Sequence, residues 1–306
     1  MKKLTISMGL CLSFFVTFAQ ERKFELKDER KTDKSIEISY TKTEPGYYTV
    51  VLNFSELTNT SRPQEIISVS GNTGNLLTLK PTDPNQHVGY RYRYQYIRGK
   101  YKPRFNADFC YLLPYTQGTN CEVIEAGYAN QKYFGAEKPA DWKSYFFYTG
   151  KEELVTAIRK GLVVEVVDEF ETRENVEFTT SQNAVIVEHE DGTLVRYLGF
   201  KKGSLKVEAG DQVFPNTPLG LNTFRSKDRF GISIFMYYLN SLDFESLRNQ
   251  TLVKQKSLYA ILTPKFISEN NQCMVLENRK TYTAYSSKEI VTKEMSKREL
   301  KKYNGK

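Results

Sequence analysis

Residues 183–200 read NAVIVEHEDGTLVRYLGF, and this stretch decides the fold of the central part of the chain. Apolar, mostly β-branched residues stand on both sides of Asp191-Gly192, a pair that tolerates the positive φ angles of a tight hairpin turn. We therefore predict a strand over 183–189, a turn, and a returning strand over 193–200.

Stretches with the same character lie on both sides of this hairpin. The chain also contains 21 Tyr and 19 Phe, residue types that favour strands. Together these features predict a mainly β protein. The flanking stretches are LVTAIRKGLVVEV (154–166), VEAGDQV (207–213), TPLG (217–220) and GISIFMY (231–237).

The order of these motifs resembles that of the lysostaphin or LytM family of zinc endopeptidases, which cut peptide cross-links in bacterial cell walls. The family pattern runs V-x-A-x-x-G-V-V, N-x-V-x-I-x-H-x-D-G-T, Y-x-H-L, V-x-x-G-D-x-V-x-x-G-x-x-I-G and G-P-H-L-H-F-E-V. Its first, second and fourth elements are recognisable here within residues 130–240. The resemblance implies a LytM-like antiparallel β domain. It also implies a zinc held by H-x-x-x-D and the second histidine of H-L-H, with the other histidines assisting proton transfer.

The positions that would carry this chemistry hold none of the required side chains. Phe146 and Phe147 stand near the family aspartate, Gly199 replaces the histidine of Y-x-H-L, and Ile232 and Ile234 replace the pair of H-L-H. We interpret these five residues as a degenerate former site. We therefore predict no catalytic residue, no metal ligand and no cofactor.

The chain has two histidines, His87 and His189. His189 matches the motif histidine before the turn, which is not a zinc ligand in the family, so we expect it to shape the hairpin. Tyr197 and His189 remain as candidate binding residues. There is no G-x-S-x-G elbow, P-loop or Gly-rich dinucleotide turn. A carboxylate pair for glycoside cleavage stays open, because such residues need not be close in sequence.

The region before this domain has short alternating segments separated by turn residues, which predicts an immunoglobulin-like β-sandwich over 35–107. Tyr90, Tyr92, Tyr94 and Tyr96 alternate with other residues, so they share one strand face. We expect this face to pack inward; the alternative is an aromatic platform for sugar rings.

Two terminal features complete the predicted organisation. Lys2-Lys3, an apolar run and Ala19 are typical of a cleaved signal peptide, and a capping box at 286–289 predicts a terminal helix over 289–303. The predicted segments are a signal peptide (1–19), a flexible lead-in (20–34), the sandwich (35–107), a LytM-peptidase-like β domain (108–240) and a C-terminal extension with the helix (241–306).

Export would place the protein in the periplasm or outside a bacterial cell. Removal of Lys2 and Lys3 with no acid lowers the formal net charge from +8 to about +6. A basic exported protein meets anionic wall polymers more often than nucleic acid. We predict peptidoglycan or an envelope protein as partner, no nucleic acid, and no transmembrane span in the mature chain.

The cysteines of the mature chain allow one short loop. In an oxidising compartment Cys110 and Cys121 could pair, and the alternative is that both are buried free thiols. Cys273 has no obvious partner in the sequence.

The leading functional hypothesis is a pseudoenzyme: an exported, non-catalytic LytM-like protein that binds cell wall or regulates or scaffolds envelope proteins. One alternative is an active zinc metalloendopeptidase that acts on peptidoglycan through a relocated site. Another is a structural envelope protein that binds partners and never contacts the wall.

Overall fold

The computed structural model describes residues 23–127, 140–171, 181–226, 229–245, 257–269 and 272–305. The chain is mainly β, as the sequence predicted, with two layers of short strands at its N-terminal end, a large antiparallel sheet in its centre and short helices at its C-terminal end. The predicted signal peptide at 1–19 lies outside the described residues.

The N-terminal part is a sandwich of two three-stranded antiparallel sheets, with strand orders β1-β2-β5 and β4-β3-β6. Alternation explains its core: Ile36, Ile38 and Tyr40 of β2 are buried, whereas the residues between them are partly exposed. The strands are β1 (Phe24–Arg30), β2 (Ile36–Lys42), β3 (Tyr48–Thr58), β4 (Ile66–Val69), β5 (Thr73–Leu79) and β6 (Gly89–Arg98).

The flexible lead-in predicted for 20–34 is wrong for its described part, because β1 occupies 24–30. This strand pairs with β2 over its whole length, and Phe24 is buried between the rings of Tyr40 and Tyr96, with centroids 5.8 and 5.1 Å away. The other side chains of β1 are mostly charged because β1 is an edge strand, where charge prevents pairing with other chains. That charge made the segment resemble a solvated linker.

The tyrosines of β6 mostly follow the predicted inward face. Tyr90, Tyr92 and Tyr94 pack against the sandwich core, and Tyr96 is 37% exposed although its ring stacks on Phe24. The hydroxyls of Tyr90 and Tyr92 both donate to Asp28, at 2.6 and 3.1 Å.

The central sheet has ten strands in the order β14-β11-β12-β13-β17-β9-β8-β21, with β16 and β18 also paired to the long strand β17. A two-stranded sheet (β10-β15) and a three-stranded sheet (β20-β19-β7) complete the domain. The strands are β7 (Cys110–Leu112), β8 (Asn120–Glu125), β9 (Tyr145–Thr149), β10 (Leu154–Thr156), β11 (Gly161–Val167), β12 (Ala184–Glu188), β13 (Leu194–Leu198), β14 (Gln212–Val213), β15 (Pro218–Leu221), β16 (Thr223–Ser226), β17 (Arg229–Leu239), β18 (Tyr259–Leu262), β19 (Lys265–Ile267), β20 (Cys273–Met274) and β21 (Lys280–Thr283).

The segment predicted as a C-terminal extension, 241–306, instead completes the central domain. Strand β18 pairs with β17, β21 pairs with β8, and β19 runs parallel to β7. Phe266 of β19 is fully buried in the main core. The sequence showed one strand-like stretch here, and only the long-range pairing shows that it belongs to the sheet.

The single terminal helix predicted for 289–303 is two helices, α1 (Lys288–Thr292) and α2 (Lys297–Asn304). Ser287 caps α1, and Ser296 starts α2 with a full capping box to Glu299. A second cap inside the segment ends one helix and begins another. Within the described part of the chain, no helix has the length and apolar character needed to cross a membrane.

The sandwich sits against the outer face of the central sheet. The Tyr47 N–H donates to both carboxylate oxygens of Glu188 at 3.0 Å, and the Tyr259 hydroxyl donates to the Arg98 carbonyl at 2.8 Å. Lys102 N–H donates to the carbonyl of Leu239, the last residue of β17. The sheet therefore has one face towards the sandwich and one towards the main core.

Candidate functional site

Three residues of the degenerate former site come together on the core face of the central sheet. Ile232 of β17 is directly opposite Phe147 of β9, and Ile234 lies between Tyr145 of β9 and Tyr197 of β13. Residues two apart on a strand share a face, so Ile232 and Ile234 point the same way. Phe147, Ile232 and Ile234 are each at most 1% exposed.

A layer of aromatic rings covers these residues. Phe266 of β19 contacts Phe147 and Tyr145 edge-on, with ring centroids 5.6 and 6.0 Å apart, and Tyr111 of β7 lies beside Phe266. Close-packed apolar side chains leave no room for a metal ion and its open water position. The face that would hold zinc in the family is part of the core of this protein.

The hydroxyls of Tyr115 and Tyr197 in this core form hydrogen bonds with other buried groups. The Tyr115 hydroxyl donates to the Phe147 carbonyl at 2.8 Å and accepts from Asn222 Nδ2 at 3.1 Å. The Tyr197 hydroxyl accepts from the Ile158 N–H at 3.0 Å. Burial raises the pKa of both hydroxyls above their ordinary value, so both stay neutral. Tyr197, predicted as a binding candidate, is a fully buried structural residue.

Gly199 lies at the end of β13 with φ +103°, beneath the guanidinium of Arg225. A Cβ at this position would lie 1.7 Å from Arg225 Nη2. Arg225 Nη2 donates to the Leu198 carbonyl at 2.8 Å, and Nη1 donates to Gln182 Oε1 at 2.8 Å. The place of the family histidine is therefore closed by an arginine from β16.

Phe146 does not join the other former-site residues. It alternates with Phe147 and points to the opposite face, where its ring stacks on Tyr148 at 5.6 Å and lies under Arg225 at 5.9 Å. Of the two phenylalanines, Phe147 is thus the one that faces the former metal position.

His189 lies apart from this group, at the hairpin turn, and is 1% exposed. Its Nδ1 is 2.9 Å from Thr193 Oγ1, which donates to Asp191 Oδ1 at 2.7 Å, so Nδ1 carries the proton. Burial, with Arg159 nearby, lowers the pKa of His189 to about 3 and keeps it neutral. This agrees with the expected structural role and removes His189 from the accessible binding candidates.

Arg159 organises the charges around this turn. Its guanidinium donates to Asp191 Oδ2 at 2.6 Å and to Glu294 Oε1 at 2.7 Å, and it lies 3.9 Å from the centroid of the Phe109 ring. Arg159 and Arg225 were not predicted from the sequence, because Arg159 stands at a position that the family pattern leaves free and Arg225 lies between two motifs. Only the folded register shows what they contact.

The Cys110–Cys121 pairing that the sequence left open does not form, and the alternative of a buried free thiol holds for Cys121 alone. Cys110 is bonded to Cys273, with Cα atoms 5.7 Å apart, and Cys121 is a buried free thiol. Strand β19 lies between β7, which carries Cys110, and β20, which carries Cys273. Cys121 on β8 points into the main core, and burial raises its pKa to about 12.

The residues present do not fit a zinc ion at the family position. Isoleucine and phenylalanine have no lone pair to donate to a metal. Among the described residues, no three His, Cys, Asp or Glu side chains form a group that could hold a metal ion. His87, the other histidine, lies on the sandwich beside Arg30 and cannot complete a site with His189.

No family model and no curated protein matches the chain. Among solved structures it is similar to pseudoalterin, an M23 metalloprotease from the deep sea, with 16% identity, 58% of this chain and 96% of that chain covered, and a TM-score of 0.30. It is similar to a chain of the SpoIIQ–SpoIIIAH pore-forming complex, with 17% identity, 46% and 98% covered, and a TM-score of 0.29. A zinc-containing peptidase from Vibrio cholerae gives 12% identity, 70% and 74% covered, and a TM-score of 0.26. Metallopeptidases are thus among the similar structures, as the motifs predicted.

Proposed function

We propose that this chain is an exported, non-catalytic LytM-peptidase-like protein that binds the bacterial cell wall or regulates or scaffolds envelope proteins. One observation carries the proposal: Phe147, Ile232 and Ile234, which match or lie near family positions for zinc binding and proton transfer, are buried in an aromatic core. A catalytic zinc needs protein ligands and an open position for water. A face built in this way supports binding elsewhere on the molecule rather than hydrolysis.

The aromatic layer formed by β7 and β19 supports a permanently closed face rather than a lid that opens to admit substrate. Strands β7 and β19 pair in parallel, and the Cys110–Cys273 disulfide ties β7 to β20 on the far side of β19. Opening the former groove would require breaking these pairings and exposing Phe266. A partner must therefore contact the outer surfaces, namely the loops of the central domain or the sandwich.

The disulfide also supports export. Disulfides form and persist in oxidising compartments such as a periplasm or the extracellular space, and they are rare in the reducing cytosol. This agrees with the Lys2-Lys3 start and apolar run of the predicted signal peptide.

A pull-down on insoluble peptidoglycan tests wall binding. The mature protein is incubated at moderate salt with walls from which the anionic polymers have been removed, so that charge attraction alone cannot retain a basic protein. We expect saturable retention, which competing soluble wall fragments reduce. Absence of retention would contradict wall binding and favour the partner-binding alternative.

Metal analysis with a wall-digestion assay tests the pseudoenzyme. We expect no stoichiometric zinc after purification and no release of cross-linked peptides, with a LytM-type peptidase as positive control. Zinc held in a one-to-one ratio, or released peptides, would establish the alternative of a relocated active site.

A further inference from the structure

Helix α2 carries its cations and its single carboxylate on different sides. At 100° per residue, Lys297, Arg298, Lys301 and Lys302 fall within about 140° of arc, away from Glu299. All four basic side chains are exposed. The helix therefore presents a cationic face, defined here by these four residues.

The acidic side of the segment is bound to the central domain. Lys160 Nζ donates to Glu299 Oε2 at 2.8 Å and to the Glu294 carbonyl at 3.0 Å, and Arg159 pairs with the Glu294 carboxylate. Glu294 and Glu299 are thus both bound to the central domain. These anchors fix α2 with its cationic face outward.

Charge repulsion within this cationic face lowers the stability of the helix. Lys297 and Lys301, and likewise Arg298 and Lys302, are like-charge pairs at i,i+4, which destabilise a helix. In the described part of the chain, none of the four forms an ion pair that would relieve the repulsion. An anionic partner would neutralise these charges and relieve the repulsion.

We propose that the cationic face of α2 docks the protein onto an anionic phospholipid surface. The four cations are spread over the convex side of a helix and do not converge, so they match a flat field of negative headgroups better than one small anion. Each lysine or arginine near an anionic bilayer adds to the attraction, and four together raise the partition coefficient about a hundredfold to a thousandfold. The inference is independent of wall binding.

Vesicle co-sedimentation of the full chain tests the proposal. Phosphatidylcholine vesicles are compared with vesicles that also contain phosphatidylglycerol, at about 0.05 M and about 0.5 M salt, because screening weakens such contacts. We expect binding only with phosphatidylglycerol and loss of binding at high salt. The variant Lys297→Gln, Arg298→Gln, Lys301→Gln, Lys302→Gln should bind at least about a hundredfold more weakly.

A matched variant separates the position of the charges from net charge. Lys27→Gln, Lys80→Gln, Arg93→Gln and Lys206→Gln remove three lysines and one arginine that are exposed elsewhere, and this variant should bind like the unmodified chain. Urea unfolding checks that both variants are folded. Equal losses in the two variants, or no binding to phosphatidylglycerol vesicles, would overturn the proposal. Binding through α2 to isolated anionic wall polymer but not to vesicles would overturn it too.

Discussion

Ile232 and Ile234 stand where the family pattern has histidines, and in this protein they are core residues. Imidazole and isoleucine are of similar size, but isoleucine has no lone pair and prefers burial. Here both residues pack against Phe147 and Tyr197 across neighbouring strands.

Restoring a histidine should therefore damage the fold and not rebuild a site. We expect Ile234→His to lower the free energy of unfolding by about 3 kcal/mol or more, because it loses packing and buries an unpaired polar ring. Ile66→His, at a position 37% exposed, should change it by no more than about 0.5 kcal/mol. Urea denaturation measures both; stabilisation of Ile234→His by added zinc would contradict the sealed core.

A substitution at Gly199 tests whether Arg225 fills the space above this residue. Gly199→Ala should destabilise more than Gly210→Ala, because the two glycines have φ +103° and +105° but only the first would place a Cβ against Arg225. Gly210 has nothing within 4 Å of its Cβ position, so it reports the backbone strain alone. Adding Arg225→Ala to Gly199→Ala should recover part of the extra loss of unfolding free energy. Equal losses in Gly199→Ala and Gly210→Ala would show that the Arg225 side chain moves aside without a measurable penalty.

The sequence placed Ile232 and Ile234 on one face of a strand, because residues two apart in a strand point the same way. It could not locate Arg225, because only the pairing of β16 with β17 places that guanidinium over Gly199. It also could not show which of Phe146 and Phe147 faces the core, since alternation alone does not say which face is buried.

At the scale of elements, long-range partners decided what the sequence missed. Strands β19 and β21 are short, and each pairs with a strand far away in sequence, β19 with β7 and β21 with β8. A pairing between distant strands leaves little local signal. The same reason explains the cysteines, because Cys110 and Cys121 are close in sequence but lie on strands that do not pair.

The disulfide should stabilise the layer that covers the former site. We expect Cys273→Ala to lower the free energy of unfolding by about 2–5 kcal/mol and to abolish its dependence on reducing agent. Cys121→Ala should retain that dependence, because Cys121 is outside the bond. Urea unfolding with and without reductant measures this, and non-reducing peptide mapping should recover Cys110 linked to Cys273; a Cys110–Cys121 peptide would contradict the structure.

At the scale of the whole molecule, one carboxylate joins the sandwich to the central sheet. Glu188 is 4% exposed, accepts from the Tyr47 N–H, and faces Lys42, Arg98 and Lys100. Burial raises its pKa to about 7 despite these cations. The position of Glu188 in the hairpin motif did not predict this role.

The lowered pKa of His189 makes the stability of the protein rise with pH up to about 6.5. Glu188 opposes this, because its own contribution to the stability should fall as pH rises from about 4.5 to about 7. In that range the folded state keeps a proton on Glu188 that the unfolded state has lost. The shift from 4.5 to about 7 corresponds to about 3 kcal/mol. Glu188→Gln should remove this contribution, and Glu208→Gln, at an exposed position, should keep it. Urea unfolding at about pH 5 and about pH 8 compares them; an unchanged pH dependence in Glu188→Gln would assign it to other groups.

The parallel pairing of β7 with β19 and the pairing of β8 with β21 have a consequence for synthesis. The sandwich has its own core and all six strands by Arg98, so it is able to fold while the rest of the chain is still being made. The central domain is completed late, because β7 lacks its partner β19 until Ile267 is made and β8 lacks its second partner β21 until Thr283 is made. Until these last strands are made, the growing central domain exposes unpaired strand edges and apolar side chains that the finished protein covers.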